Sequence, residues 1–298
     1  MIRLAVRVRR EHSELVLAEL LELVPAGVEE LEVGAETIEY AVYGAPGELP
    51  SLPDLNAVAG DALVEISTSS TPDDWQERWK RFHRPVMIEA PRPAAGRDRP
   101  VPALHVRPPW ESASARRGQA VEEIVIDPGQ AFGTGGHAST RLCLELLLEL
   151  TSRAPRAWPL LDVGTGSGVL AIAAARLGFA PVLGLDHERE SVEAARENAT
   201  KNGVEIEVRR FDLRAERLPW MGAAEVPAGQ VVVTANLLRP LLLELAETMP
   251  CAPAHLLAGG LLKEEVEEVA SAFGDRLGMR TREERQSGDW AAVWLFAP

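Results

Sequence analysis

The period of apolar positions changes along this chain, and the changes outline its elements. Ile2 to Val8 alternates apolar with mostly basic residues, the period of two expected of a half-buried strand. From His12 to Leu23 the spacing becomes helical, with Leu15, Leu20 and Leu23 as apolar positions and Ser13 placed to cap. Val28 to Val33 and Thr37 to Val42 predict a hairpin across Gly34 and Ala35. Asp54 to Ala59 reads as a second helix and Ala62 to Ile66 as a strand. The order β-α-β-β-α-β is that of a small ferredoxin-like α+β domain, expected over residues 1–66. Nothing in it looks catalytic, and recognition of a partner is the expected role.

Residues 67–115 read as a connection. Ser67 to Pro72 is rich in turn formers, and Asp73 to Lys80 predicts a capped helix with Trp75 and Trp79 on the face that docks on the next domain. Pro91 to Pro100 reads as a loop and Val101 to Val106 as a strand running into Pro108-Pro109-Trp110.

From residue 116 to 298 strands and helices alternate. Strands are expected at Glu122–Ile126, from Leu160, and at Val182–Asp186, Glu205–Arg209, Val231–Asn236 and His255–Leu262. Helices are expected at Arg141–Leu150, Val169–Leu177, Ser191–Asn202, Leu237–Glu247 with an early interruption at Pro240, and Lys263–Phe273, whose acidic face is solvated. Thr281–Arg285 and Ala291–Phe296 suit a closing antiparallel pair. The fold class is α/β, a doubly wound, mostly parallel Rossmann-like sheet behind the small domain.

The chemistry gathers where strands end. Leu160 to Asp186 reads as strand, glycine turn, helix, strand, acid. Glycines permit a tight turn and close approach by a ligand, and the helix after them offers free N–H groups. A dinucleotide fingerprint would need glycine where Val169 stands; the run is instead Asp162-x-Gly164-x-Gly166-x-Gly168. Asp186, closing its strand, can accept both hydroxyls of a ribose. Asp212, after the third strand, can receive an adenine amino group. Asn236 ends the fourth strand, where open α/β sheets place their ligands. A second loop, Asp127 to Thr140, holds four glycines within eight residues and suits closure over a polar ligand. In it His137 is expected to be a hydrogen-bonding loop residue rather than a general base, with Ser139 or Thr140 capping the next helix.

Composition narrows the classes. Across 298 residues, 31 basic and 45 acidic side chains leave a net charge of −14, which disfavours gripping nucleic-acid phosphates and suits a basic protein partner. Only three of the basic residues are lysine. Cys143 and Cys251 make neither a disulfide framework nor a metal cluster, so no metal is expected. No run of eighteen apolar residues suggests a membrane span, and the first ten residues alternate rather than form an apolar leader core, so a cytoplasmic protein is expected.

The glycine turn is similar to the first motif of the class I S-adenosylmethionine-dependent methyltransferases. Several segments together resemble the bacterial ribosomal protein L11 methyltransferases along nearly the whole chain: Asp74-Trp75, Trp79-Lys80, Pro108-Pro109-Trp110, Asp127-Pro128-Gly129, Phe132-Gly133-Thr134-Gly135 with His137, Asp162 to Gly168, Asp186, and Asn236-Leu237. The resemblance implies S-adenosylmethionine held by Thr140, Gly164, Asp186 and Asn236; Asp162, Gly166 and Asp212 are expected to bind it as well, and Asn236 to orient the reacting amine. It implies methylation of lysine ε-amino or N-terminal α-amino groups of ribosomal protein L11, recognised by the first domain; a monomer is expected. Ser139, Arg239 and Ala258-Gly259-Gly260 depart from the family pattern, and Arg239 bears on substrate choice. Another protein or a small-molecule amine is the alternative acceptor.

Overall fold

The computed structural model describes residues 2–13, 16–17, 20, 28–34, 36–44, 49–50, 52–70, 83–90, 100–114, 120–128, 133–153, 157–219 and 228–298. The chain divides into two compact units, Met1–Phe82 and His83–Pro298.

In the first unit β1 (Ile2–Arg9), β2 (Glu29–Glu32), β3 (Thr37–Gly44) and β4 (Leu63–Ser70) form one antiparallel sheet in the order β2-β3-β1-β4, with α1 at Leu52–Ala59. This is the ferredoxin-like topology. Alternation sends Leu4, Val6 and Val8 to one face, where they pack with Ile38, Tyr40, Leu55 and the helical Val16 and Leu20. On the other face Arg3 and Arg7 donate to Glu39, Arg7 Nε at 2.7 Å. Burial alone would raise the Glu39 pKa; the two guanidiniums outweigh it and hold the carboxyl below its usual range. Strand β4 runs on to Ser70, beyond the expected Ile66, because its polar Ser67 to Ser70 still pair with β1. The helix expected at Asp73–Lys80, with Trp75 and Trp79, lies outside the described residues.

The second unit opens with a three-stranded sheet of β5 (Val86–Ile88), β6 (Ala103–Arg107) and β7 (Val121–Val125), where β5–β6 is antiparallel and β6–β7 parallel. Strands β5 and β6 fall inside the span expected to be a connection, yet Ile88, Leu104, Val106 and Ile124 share a core with helices further along the chain. The remaining elements are α2 (Ala138–Thr151), β8 (Leu160–Val163), α3 (Val169–Leu177), β9 (Val182–Asp186), α4 (Arg189–Asn202), β10 (Glu207–Arg210), β11 (Val232–Asn236), α5 (Arg239–Thr248), β12 (His255–Leu262), α6 (Val266–Leu277), β13 (Arg280–Ser287) and β14 (Trp290–Phe296).

The seven-stranded sheet runs β10-β9-β8-β11-β12-β14-β13, parallel through β12 and antiparallel at β14 and β13. Its inner strands are apolar on both sides, as a sheet covered on both faces requires, whereas the edge strands β10 and β13 are largely polar. Leu160, Val232 and Leu257 face the core with α2 and α3. Their neighbours Leu161, Val233 and Leu256 face the core with α5 and α6, where Leu242, Leu245, Val269 and Phe273 are buried. Strand order reverses between β8 and β11, which leaves a crevice at their carboxyl ends.

Two of the departures from the expected elements have local reasons. Helix α2 begins at Ala138 rather than Arg141, because His137 is its N-cap. Pro240 does not interrupt α5; it sits in the first turn, where its missing N–H costs nothing. No helix among the described residues is long and apolar enough to cross a membrane.

Candidate active site

The turn after β8 is fastened to β9 by the backbone. The Gly164 and Thr165 N–H groups donate to the Leu185 carbonyl at 2.8 and 2.9 Å. The Gly166 N–H donates to Asp186 Oδ2 at 2.8 Å, and the Glu188 N–H to Asp186 Oδ1 at 3.0 Å. A carboxylate offers about four lone-pair positions. Two are used here, so Asp186 keeps acceptor capacity on the crevice rim. Gly164 has φ +73°, and a Cβ there would lie 2.2 Å from the Leu237 side chain. The turn needs glycine here for its left-handed conformation.

Asp162 stands beneath the turn. It is fully buried, accepting from Thr165 Oγ1 at 2.7 Å and Thr234 Oγ1 at 2.6 Å. Burial raises its pKa to about 6, against the pull of those two hydroxyls. Its carboxylate thus ties the turn to β11. Asp212 sits on the outer rim: the Phe211 N–H donates to the Asp186 carbonyl at 2.8 Å, and Asp212 Oδ1 accepts from the Arg214 N–H at 2.9 Å.

Across the crevice, Asn236 Nδ2 donates to Thr140 Oγ1 at 3.3 Å. Thr140 is fully buried in the first turn of α2. Asn236 Oδ1 is buried and has no hydrogen-bond partner among the described residues. An orphaned buried acceptor costs roughly 1–3 kcal/mol, so a donor brought by a ligand would stabilise it. The Asn236-Leu237 corner is held by β12. The Leu237 N–H donates to the Gly259 carbonyl at 3.1 Å, and a Cβ on Gly260, at φ +79°, would fall 2.5 Å from the Leu237 carbonyl oxygen. Sequence reasoning missed this support; two adjacent glycines inside an apolar strand were its signal.

His137 Nδ1 faces Ser139 Oγ at 2.8 Å and accepts from the Ser139 N–H at 3.3 Å. Its ring meets Trp290 edge-on, centroids 4.6 Å apart. Burial and then the neighbouring Arg141 keep its pKa below the ordinary imidazole value. The expected loop hydrogen-bonder is therefore the cap itself, and Ser139 and Thr140 lie inside the helix. Arg239 is tied to the start of α6, with Nη1 donating to Glu268 in the helix at 2.9 Å and Nε 3.3 Å from Glu265 just before it.

A glycine turn after the first strand, an acid after the second, a polar tip on the fourth and an antiparallel pair beyond the fifth define a class I S-adenosylmethionine-dependent methyltransferase fold. Residues 54–296 match the family model described as ribosomal protein L11 methyltransferase. Curated relatives of that name include the protein of Geobacter sulfurreducens, 38% identical over 247 residues, covering 81% of this chain and 73% of the relative. The protein of Syntrophotalea carbinolica is 34% identical over 272 residues, covering 90% and 78%. That of Symbiobacterium thermophilum is 36% identical over 228 residues, covering 76% and 66%. A crystal structure of a ribosomal protein L11 methylase from Lactobacillus delbrueckii subsp. bulgaricus superposes with a TM-score of 0.53 at 29% identity, covering 64% of this chain and 93% of that one. The chain belongs to the ribosomal protein L11 methyltransferase family.

Proposed function

We propose that this protein transfers methyl groups from S-adenosylmethionine to amino groups of ribosomal protein L11, at lysine side chains, the N-terminal amine or both. The observation that carries this reading is the buried, unpartnered Oδ1 of Asn236 at the crevice, beside Thr140. When bound, S-adenosylmethionine supplies an electrophilic methyl group on a positively charged sulfur. The turn at Gly164 and Gly166 would seat its methionine portion, Asp186 its ribose hydroxyls and Asp212 its adenine amino group. Asp162 would serve from below, by holding the turn on Thr165 and β11 on Thr234.

Only a neutral amine can attack. At pH 7 a free lysine with a pKa of about 10.4 costs about 4.6 kcal/mol to deprotonate. Burial of the amine and a neighbouring positive charge both lower that cost. Asn236 Oδ1 can accept one amine N–H and so aim the lone pair; held by Thr140 and the Gly259–Gly260 bend, it is oriented before the substrate arrives. A dedicated base is not required.

The ferredoxin-like unit is the proposed reader of L11, and the net charge of −14 favours encounter with a basic ribosomal protein in the cytoplasm. The test is to incubate the purified protein with methyl-labelled S-adenosylmethionine and ribosomal proteins, then locate the label by mass spectrometry. Label on L11 amines is expected. Label on another protein or on a small-molecule amine would move the substrate while keeping the chemistry.

A further inference from the structure

Helix α4 carries two buried asparagines one turn apart, Asn198 at 1% and Asn202 at 4% exposure. Asparagine is a modest helix former, so two on an inner face require a reason. Asn202 takes both backbone groups of Val125: Nδ2 donates to the carbonyl at 2.7 Å and Oδ1 accepts the N–H at 2.8 Å. Asn198 reaches two separate segments. Its Oδ1 accepts from the Asp127 N–H at 3.0 Å, and its Nδ2 donates to the Ser167 carbonyl at 2.9 Å. Ser167, fully buried in the glycine turn, donates through Oγ to the Gly133 carbonyl at 2.6 Å. Asp127 and Gly133 are thus tied to one residue of the turn, the first through Asn198 and the second directly. Helix α4 lies hard against the turn as well, since a Cβ on Gly168 would come within 3.1 Å of Ala195 Cβ. The Asn198–Ser167 and Ser167–Gly133 bonds are shielded from water, which strengthens them.

We propose that Asn198, acting with Ser167, is a positioning residue for methyl transfer. The two lock Asp127 and Gly133, which precede His137 and Thr140 in the chain, to the turn proposed to seat the cofactor, so both sides of the crevice keep one spacing. This rests on the proposed function above. Asn198 works through Ser167 and Asp127 and need not touch substrate.

Asn198→Asp keeps an acceptor for the Asp127 N–H and removes the donor to Ser167. Ser167→Ala removes the tie to Gly133. In the full chain, well below the Tm of each variant, both are expected to lower kcat/KM for L11 by about tenfold or more, as a misplaced reacting group does. Amide hydrogen exchange supplies a readout independent of turnover. S-adenosylmethionine should slow exchange at Asp127 in the unmodified protein and lose that effect in Asn198→Asp, while Val125, held by Asn202, stays protected in both. Values of kcat/KM within twofold of the unmodified protein, or no cofactor effect at the Asp127 amide, would overturn the proposal. An unmodified protein that never methylates L11 overturns the functional reading instead, and the Asp127 exchange then still decides whether the tie exists.

Discussion

The two sides of the crevice are built from contacts of very different range. On the turn side the bonds are local: Thr165 to Asp162 spans 3 positions and Gly166 to Asp186 spans 20. On the acceptor side Asn236 meets Thr140 across 96 positions, and Thr234 reaches Asp162 across 72. The turn side is mostly backbone geometry that glycine spacing dictates. The acceptor side is side chains that only the closed sheet brings together. The proposed methionine and ribose contacts can therefore be specified within one β-α-β unit, whereas the proposed place for the amine depends on the whole sheet.

That contrast fixes where substitutions should act. Asn236→Ala should have the largest effect, lowering turnover on L11 about a hundredfold or more, or weakening cofactor binding as severely. Near-normal values for both in steady-state assay and calorimetry would remove Asn236 from the site. Asp186→Ala should weaken S-adenosylmethionine binding by roughly tenfold to a hundredfold, the worth of hydrogen bonds to a charged acceptor. An unchanged calorimetric Kd would separate Asp186 from the cofactor.

Thr234→Val leaves buried Asp162 Oδ1 without its hydroxyl. It should cost about 1–3 kcal/mol of stability in urea unfolding, with little change in cofactor affinity. A large loss of affinity with intact stability would place Asp162 in direct contact with ligand.

The pH dependence has two opposed parts. The Asp162 pKa of about 6 lies above its unfolded value near 3.9, so its contribution is full below about pH 4 and is lost as pH rises through 6. His255 runs the other way. Burial and then Arg282 lower its pKa to about 4, so its contribution is full above about pH 6.5 and is lost as pH falls through 4. Between these limits the slopes offset in the unmodified protein. In Asp162→Asn stability should rise with pH, by up to about 1.4 kcal/mol per unit; parallel stability curves would show that the fold leaves the Asp162 pKa in its ordinary range. Arg239→Ala, which cuts partly exposed pairs to Glu265 and Glu268, should change stability by less than about 1 kcal/mol.

The same distinction of range explains how much the chain reveals before it folds. Val182–Asp186, Val169–Leu177 and His255–Leu262 stand at their expected bounds, because apolar runs and flanking glycines carry that information locally. Family resemblance puts Thr140 and Asn236 against one cofactor, but their hydrogen bond to each other is not foreseen, since no spacing in the sequence encodes it. Strand β5 escapes a reading by period: three residues, Val86 to Ile88, are too few to show one. The cap at His137 is expected on its neighbours instead, because Ser and Thr are the commoner caps. The helix-borne Asn198 and Asn202 carry only a faint signal, polar residues on an inner face, and their partners lie more than thirty or seventy positions away.

The most direct measurement is the intact mass of purified L11 after incubation with this protein and S-adenosylmethionine, with fragmentation to find the modified nitrogen. The account predicts mass gains in whole methyl groups on lysine or N-terminal amines. L11 of unchanged mass, under conditions where calorimetry shows the cofactor bound, would contradict it.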